Sequence, residues 1–376
     1  MAGKLAVQPA EGGERPRLKD TIFSRERIHH IASQAAQAST RFEQEVFLAH
    51  ALAGLDALTL MERLRHVATA LHAALPGVGF LPALDILRTL APRIDSKFVT
   101  MILPEFVAIY GAKNFDASMD ALRYFTAFGS SEFAIRHFLR SDLERTLAVM
   151  EGWAHDGDAH VRRLASEGSR PRLPWSFHLD RLIDDPAPAA PILDALRSDA
   201  SPYVRKSVAN HLNDITRDNP GWVLGRLTDW TDEDPRTAWI IRHALRTLVK
   251  AGDAEALSLV GASDGANVKV EDFIVEPAQL AIGQSFGLSC RITSMGAGTQ
   301  TLILDYAIDY VRQNGRTSRK IFKLKKLVLD SGQSANISHR QRMENLSVRR
   351  LYPGRHRVEL LANGQLLAAG AFELES

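Results

Sequence analysis

Cysteine is the first scarcity: one thiol, Cys290, serves all 376 residues. A single cysteine excludes an internal disulfide and any cysteine-based zinc site, and it suits a reducing compartment. Long apolar runs are missing as well. No stretch of eighteen or more apolar residues occurs, so the chain offers no candidate transmembrane helix and no membrane partner is expected. The opening residues MAGKLAVQPAEGGERPRLKD lack the apolar centre of a secretory signal. Residues 1–19 are therefore expected to be a disordered lead-in. Thirteen histidines are present, but none stands in HExxH spacing, and no metal site is expected. Strand-like alternation is absent up to about residue 262.

What is present is the composition of a globular protein, 45% hydrophobic and 24% charged, at a length that suggests two or three domains. From Asp20 to Ala262 apolar residues recur at three and four, as in Val46, Phe47, Leu48, Leu52, Leu55, Leu58, Leu60 and Leu64. That spacing predicts helices, and Pro or Gly at Pro76-Gly77, Pro82, Pro92 and Pro104 divides them. The segments FAIRHFLRS, HVRRLASEG, YVRKSVANHLND and WIIRHALRT share an apolar residue followed by Arg136, Arg162, Arg205 or Arg242, at intervals of 26, 43 and 37 residues. Three are approached through acidic loops, 155–158, 198–202 and 232–235. Such a weak repeat predicts a HEAT-like helical solenoid over residues 20–262. Its arginines either line a basic track on the concave face or pair with the acidic loops before them.

After a linker at 261–265 the texture changes. Seven β-rich runs follow, at 268–275, 286–293, 301–311, 321–329, 335–342, 356–361 and 366–374, with Asn314-Gly315, Ser331-Gly332, Pro353-Gly354 and Asn363-Gly364 as turns. Seven strands over this length predict an immunoglobulin-like sandwich across residues 266–376. Charge is uneven too. From Ala266 onward fifteen Lys/Arg face ten Asp/Glu, a net of +5 that leaves −3 for the remainder. Within 311–357 the ratio is thirteen to two, which predicts a polyanionic partner. Arg316, Arg319, Lys320, Lys323, Lys325, Lys326, Arg340, Arg342, Arg349 and Arg350 are expected on strand edges and loops.

The stretch HVRRLASEGSRPRLPWS, residues 160–176, concentrates the chemistry. VRRLASE reads as a helix that presents Arg162, Arg163 and, at its far end, Glu167. Gly168 is expected to end it through positive φ. Pro171 and Pro174 then stiffen a basic loop carrying Arg170, Arg172 and Trp175. Two guanidiniums and an indole beside a carboxylate suit a phosphate backbone and an electron-poor ring. An ordinary interhelical loop with a packed Trp would read the same way. Glu167 and Asn210 fall at equivalent positions, five residues after Arg162 and Arg205, and Asp214 lies one turn beyond Asn210. Glu132 precedes Arg136 by four residues. Either these three acids converge on a site or each forms a salt bridge with a neighbouring arginine. Trp222, Trp230 and Trp239 are expected in the helical core.

SSEFAIRHF, RRLASEGSRPRLPWS and VRKSVANHLNDI together resemble the AlkC branch of the AlkC/AlkD DNA alkylation-repair glycosylases, over residues 20–262. The sandwich behind them resembles that of the subgroup with a C-terminal immunoglobulin-like domain. The resemblance implies base excision repair, with removal of cationic N-alkylated bases such as 3-methyladenine and 3-methylcytosine from double-stranded DNA. It further implies that no pocket takes in an extruded base and that no cofactor is needed. It carries the principal catalytic carboxylate onto Glu167, the other acids at the lesion onto Glu132 and Asp214, and an aromatic contact onto Trp175. The expected DNA-binding residues are Arg136, Arg162, Arg163, Arg170, Arg172, Arg205, Lys206 and Arg242 in the helical region, and Arg319, Lys320, Lys323, Arg340 and Arg342 in the sandwich. A cytoplasmic monomer is the accompanying expectation. Two other readings use the same residues: a non-catalytic scaffold for DNA or another polyanion, and a metal-dependent nuclease.

Overall fold

The structure, a computed structural model, describes residues 17–230, 234–346 and 349–375. Most of the expected disordered lead-in, residues 1–16, lies outside the described residues, as do Asp232 and Glu233 of the third acidic loop. The end of the lead-in is already folded. Helix Leu18–Ile22 begins inside it, and Lys19 Nζ donates to the carbonyls of Asp56 and Leu58 at 2.8 and 2.7 Å.

Helices run as far as Ala254–Leu259, and strands occupy the chain from Val268 onward. The helix starts are written in side chains. Thr59 and Glu62 close a capping box on Leu60–Ala73. Asp142 and Asp158 accept backbone N–H groups at the starts of Leu143–Trp153 and Ala159–Gly168. Asp199 accepts the Ser201 N–H, and Pro202 opens Pro202–Ile215. The acidic approaches at 155–158 and 198–202 thus help to start helices. Helix Ala159–Gly168 packs on Leu143–Trp153 and on Pro202–Ile215, burying Leu164 and Ala165 on one side and Val204, Val208 and Leu212 on the other.

The described chain forms two compact units, Met1–Pro220 with Asp232–Ile240, and Gly221–Thr231 with Ile241–Ser376. Secondary structure changes between Leu259 and Val268, but compactness groups the last helices with the sandwich. The reason is visible within the second unit. Lys250 Nζ donates to the Ile321 carbonyl at 2.9 Å, and Asn363 Nδ2 donates to the carbonyls of Ser263 and Gly265.

The second unit carries the immunoglobulin-like sandwich. Its strands are β1 Val268–Glu276, β2 Gln279–Ala281, β3 Ser285–Ser294, β4 Gln300–Val311, β5 Thr317–Leu329, β6 Ser334–Arg342, β7 Gly354–Ala362 and β8 Gln365–Glu375. They form two sheets, ordered β1-β3-β6 and β2-β8-β7-β4-β5. All seven expected strands are present, and the three-residue β2, parallel to β8, is the addition. Phe286, Ile292, Leu304, Ile308, Val358 and Phe372 fill the core, where the rings of Phe286 and Phe372 stack at 4.8 Å. Cys290 sits among them, its thiol pushed up to about 11 by burial. Asn363 and Gly364, at φ 48° and 76°, make the tight β7–β8 turn.

A candidate carboxylate and arginine centre

Helix Ala159–Gly168 ends against a buried neighbour, and the site grows from that contact. Gly168 does not take positive φ, contrary to expectation. A Cβ there would stand 2.5 Å from Ile135 Cγ2, so glycine is needed for close packing. Ser169 ends the helix instead, its hydroxyl donating to the Ala165 carbonyl at 2.7 Å. The chain then turns through Arg170, Pro171 and Arg172 to Trp175, whose φ of 66° is rare for a bulky residue. The Trp175 side chain is 66% exposed, with one edge toward Phe98 at 6.5 Å between ring centres.

Arg136 lies underneath this loop, 0% exposed. Its guanidinium donates to the Gly168 carbonyl at 3.1 Å and also to those of Arg170 and Phe177. One rigid fork therefore satisfies three backbone acceptors along the 168–177 turn. Burial, with Arg170 beside it, brings the Arg136 pKa down to about 10, and the group stays charged at neutral pH. The expectation that Arg136 contacts DNA is corrected here, because a fully buried guanidinium cannot meet a phosphate.

The three acids and two other arginines make one chain of ion pairs. Arg163 Nη1 lies 2.5 Å from Glu132 Oε2, and its Nη2 lies 3.5 Å from Glu167 Oε1. Arg170 donates Nη1 to Glu167 Oε1 at 2.6 Å and Nε to Asp214 Oδ2 at 2.7 Å. Ser207 donates its hydroxyl to Glu167 Oε2 at 2.6 Å, and Ser130 donates to Glu132 Oε2 at 2.8 Å. Glu167 is 6% exposed, and charge-assisted bonds on both of its oxygens offset the cost of burying it. Burial opposes the charges of Arg163 and Arg170, yet the paired carboxylates outweigh it and hold both above the ordinary guanidinium value. His211, fully buried on the neighbouring helix, is brought down to about 3 by burial and by Arg170, so it adds no charge at neutral pH.

Of the expected DNA-binding residues in the helical region, most hold partners within it. Arg162 makes a two-pronged bond to Asp199 and donates to the carbonyls of Asp156 and Gly157. Arg205 donates to the carbonyls of Asp199 and Ala200. Arg172 grips Asp218 through two bonds of 2.7 and 2.8 Å. The acidic-loop reading of the repeated arginines therefore accounts for Arg162 and Arg205. Lys206 and Arg242 are exposed. In the sandwich Arg319, Lys320, Lys323, Arg340 and Arg342 are all exposed, with Arg319 near Glu359 and Arg342 donating to the Gly283 carbonyl. Trp230 is buried as expected; Trp222 and Trp239 are half-buried. Ser207 was missed from sequence, although a small polar residue inside the apolar stripe Val204, Val208, Leu212 was a readable signal.

This arrangement places a fixed, hydrogen-bonded carboxylate between two acids that share its arginines. Such a centre offers a developing cation a negative field that needs no reorganisation.

Residues 269–376 match the family model described as "Uncharacterised protein YhaZ, C-terminal Ig-like domain". Over 340 residues the chain is 38% identical to the "Uncharacterized protein YhaZ" of Bacillus subtilis, covering 90% of this chain and 93% of that one. Among solved structures it is similar to the alkylpurine DNA glycosylase AlkC of Pseudomonas fluorescens, bound to DNA containing an abasic site analog. The two are 49% identical, with a TM-score of 0.91 over 96% of this chain and 100% of that one. The chain belongs to the AlkC family. Family membership extends over both the helical region and the immunoglobulin-like domain.

Proposed function

We propose that the protein is a DNA glycosylase that cleaves the N-glycosidic bond of cationic N-alkylated bases, 3-methyladenine and 3-methylcytosine among them, in double-stranded DNA. The observation that carries this reading is the joining of Glu132, Glu167 and Asp214 through Arg163 and Arg170. A base already positively charged leaves with the bonding electrons and needs no proton from a general acid. The barrier then lies in the oxocarbenium-like sugar, which a nearby carboxylate stabilises. Glu167 takes that role, while Asp214 or Glu132 orients the attacking water. Trp175 lies against the lesion, where its ring face adds cation–π attraction of roughly 0.5–2 kcal/mol. The exposed cations supply contacts to phosphate that carry little sequence information. The base is not drawn into a pocket before its bond breaks.

The scaffold alternative loses support from the pairing just described, since arginines already neutralised by carboxylates make a poor polyanion track. The nuclease alternative loses support from the guanidiniums standing between the acids, which oppose a metal cation there. Among the described residues no three His, Cys, Asp or Glu side chains gather closely enough to hold a metal ion. The deciding experiment measures release of 3-methyladenine and 3-methylcytosine from methylated duplex DNA, with and without EDTA. EDTA-insensitive release is expected, falling in Glu167→Gln by about 10²–10³. A wild-type protein that binds DNA but releases no base would overturn the reading, as would a folded Glu167→Gln variant of full activity.

A further inference from the structure

Two segments that build the carboxylate centre also wall a separate pocket. Glu132 belongs to the ion-pair chain, whereas the next residue, Phe133, lines a cavity of about 260 Å³. Arg170 belongs to the same chain, and Trp175 and Phe177, further along its loop, line that cavity too. Arg65, Glu105 and His137 complete the part of the lining that matters here. Three aromatic rings therefore stand around the buried carboxylate of Glu105, while Glu62, the other acid of the lining, is exposed and held in its helix cap. Glu105 is 7% exposed, and among the described residues its one ion-pair partner is Arg65, at 3.0 Å. The Arg65 side chain is itself half in solvent, so the pair is cheap to exchange for another donor. Burial, with Arg65, Arg140 and Arg136 nearby, pulls the His137 pKa below its ordinary value, so the imidazole adds little to the charge of those arginines.

We propose that this cavity is a holding site for the free base, occupied after the glycosidic bond has broken; the inference rests on the glycosylase reading above. Its volume suits one heterocycle and falls short of a drug-sized ligand site. Its chemistry suits a flat ring that presents adjacent N–H donors. The departing base takes the electrons of the broken bond and is neutral, while the water that attacks the sugar gives up its proton. An alkylated adenine or cytosine then carries a ring nitrogen beside an exocyclic amine. Neutral, it donates N–H to the Glu105 carboxylate. Protonated by solvent, it binds as an amidinium, with a charge-assisted pair of bonds. Phe133 and Trp175 provide ring surface for stacking, while Phe177, one face of it covered by the Arg140 guanidinium, closes the wall. Trp175, placed against the lesion in that reading, also lines the cavity and so borders both positions of the base.

The test uses the full chain without DNA and free 3-methyladenine as the probe, with binding followed by calorimetry and by tryptophan fluorescence. Saturable one-to-one binding is expected, with adenine as a weaker competitor. Glu105→Gln should weaken it by about tenfold or more, and Phe133→Leu by a few-fold. Added 3-methyladenine should also slow base release from methylated DNA by the wild type, and do so less in Glu105→Gln. Absence of saturable binding at millimolar base overturns the proposal, as does unchanged binding in both folded variants. Because binding is read without DNA, a failed release assay sinks the glycosylase reading on its own. Base release with no binding of free base sinks the holding site alone.

Discussion

In the helical unit Arg136, Arg162, Arg163, Arg170, Arg172 and Arg205 all donate to acceptors of their own unit. In the sandwich Lys320, Lys323, Lys325, Lys326 and Arg340 stand on strand faces in solvent. The sequence shows both as clusters of basic residues. A helical stack brings these arginines against loops and helix ends of the same unit, where carbonyls and carboxylates accept. A strand at the sheet edge, as β5 is, turns alternate residues outward and offers them nothing of its own. The same composition therefore serves internal positioning in one unit and an exposed positive field in the other, which also keeps the β5 edge from pairing with further strands.

The largest effect expected from this contrast is on stability. Arg136→Met leaves two buried carbonyls and one part-buried carbonyl without a donor, at about 1–3 kcal/mol for each buried one. Urea unfolding should show a loss of about 3 kcal/mol or more, against less than about 0.5 kcal/mol for the exposed Lys206→Met. Equal losses in the two would remove the distinction between internal and outward cations. Next comes chemistry: Ser207→Ala removes the hydrogen bond on Glu167 Oε2 and should lower the base-release rate by about tenfold, with DNA affinity unchanged, because the carboxylate loses its fixed orientation. A loss of affinity with an unchanged rate would instead give Ser207 a packing role. Smaller again is the effect of salt. In Lys320→Ala/Lys323→Ala/Arg340→Ala the slope of log affinity against log salt should flatten by about 2–3, at roughly 0.9 per phosphate contact. Arg162→Ala, which removes a cation held by Asp199, should leave that slope where it was.

The fold was legible because its signals are local. Apolar spacing marked the helices, and alternation with Asn-Gly and Pro-Gly turns marked the seven longer strands; three-residue β2 escaped because it is too short to alternate. The acids were legible through repeat register: Glu167, five residues after Arg162, and Asp214, nine after Arg205, do reach a common arginine, Arg170. What register could not tell was the depth of each side chain. Arg136 and Arg162 occupy the same place in their repeats, yet one is fully buried under a loop and the other faces Asp199 at a repeat junction. That difference depends on the 168–177 turn folding back over the earlier helix, a contact between residues more than thirty positions apart. Gly168 misled for the same reason. Its need for glycine comes from Ile135, distant in sequence, and not from the local φ.

Acid–base behaviour should also separate the two units, in opposite directions. Asp305 of β4 is buried, and burial raises its pKa to about 6 against the attraction of Lys250 and Lys323. Its folded value exceeds the unfolded 3.8, so between about pH 4 and 6 the folded state binds more protons than the unfolded one. Stability therefore falls as pH rises through that window, and the loss is complete above it. Asp305→Asn removes the titration. It should gain about 1–2 kcal/mol at pH 7, part of a shift worth about 1.4 kcal/mol per pKa unit being returned when the attraction of the lysines is lost. Near pH 4 the variant and the wild type should converge. Asp218 in the helical unit is held below its ordinary value by the Arg172 guanidinium, which gives the opposite sign. Its contribution is present at neutral pH and fades as acid protonates it, so Asp218→Asn should be less stable than wild type at pH 7 and equal to it well below pH 3.8. Denaturant unfolding of Asp305→Asn at pH 4 and 7, and of Asp218→Asn at pH 7 and well below pH 3.8, checks this. Curves for Asp305→Asn that stay parallel to wild type would mean the carboxylate is solvated, and the interior of β4, whose register with β5 shifts between Leu304 and Asp305, would then be wetter than its packing implies.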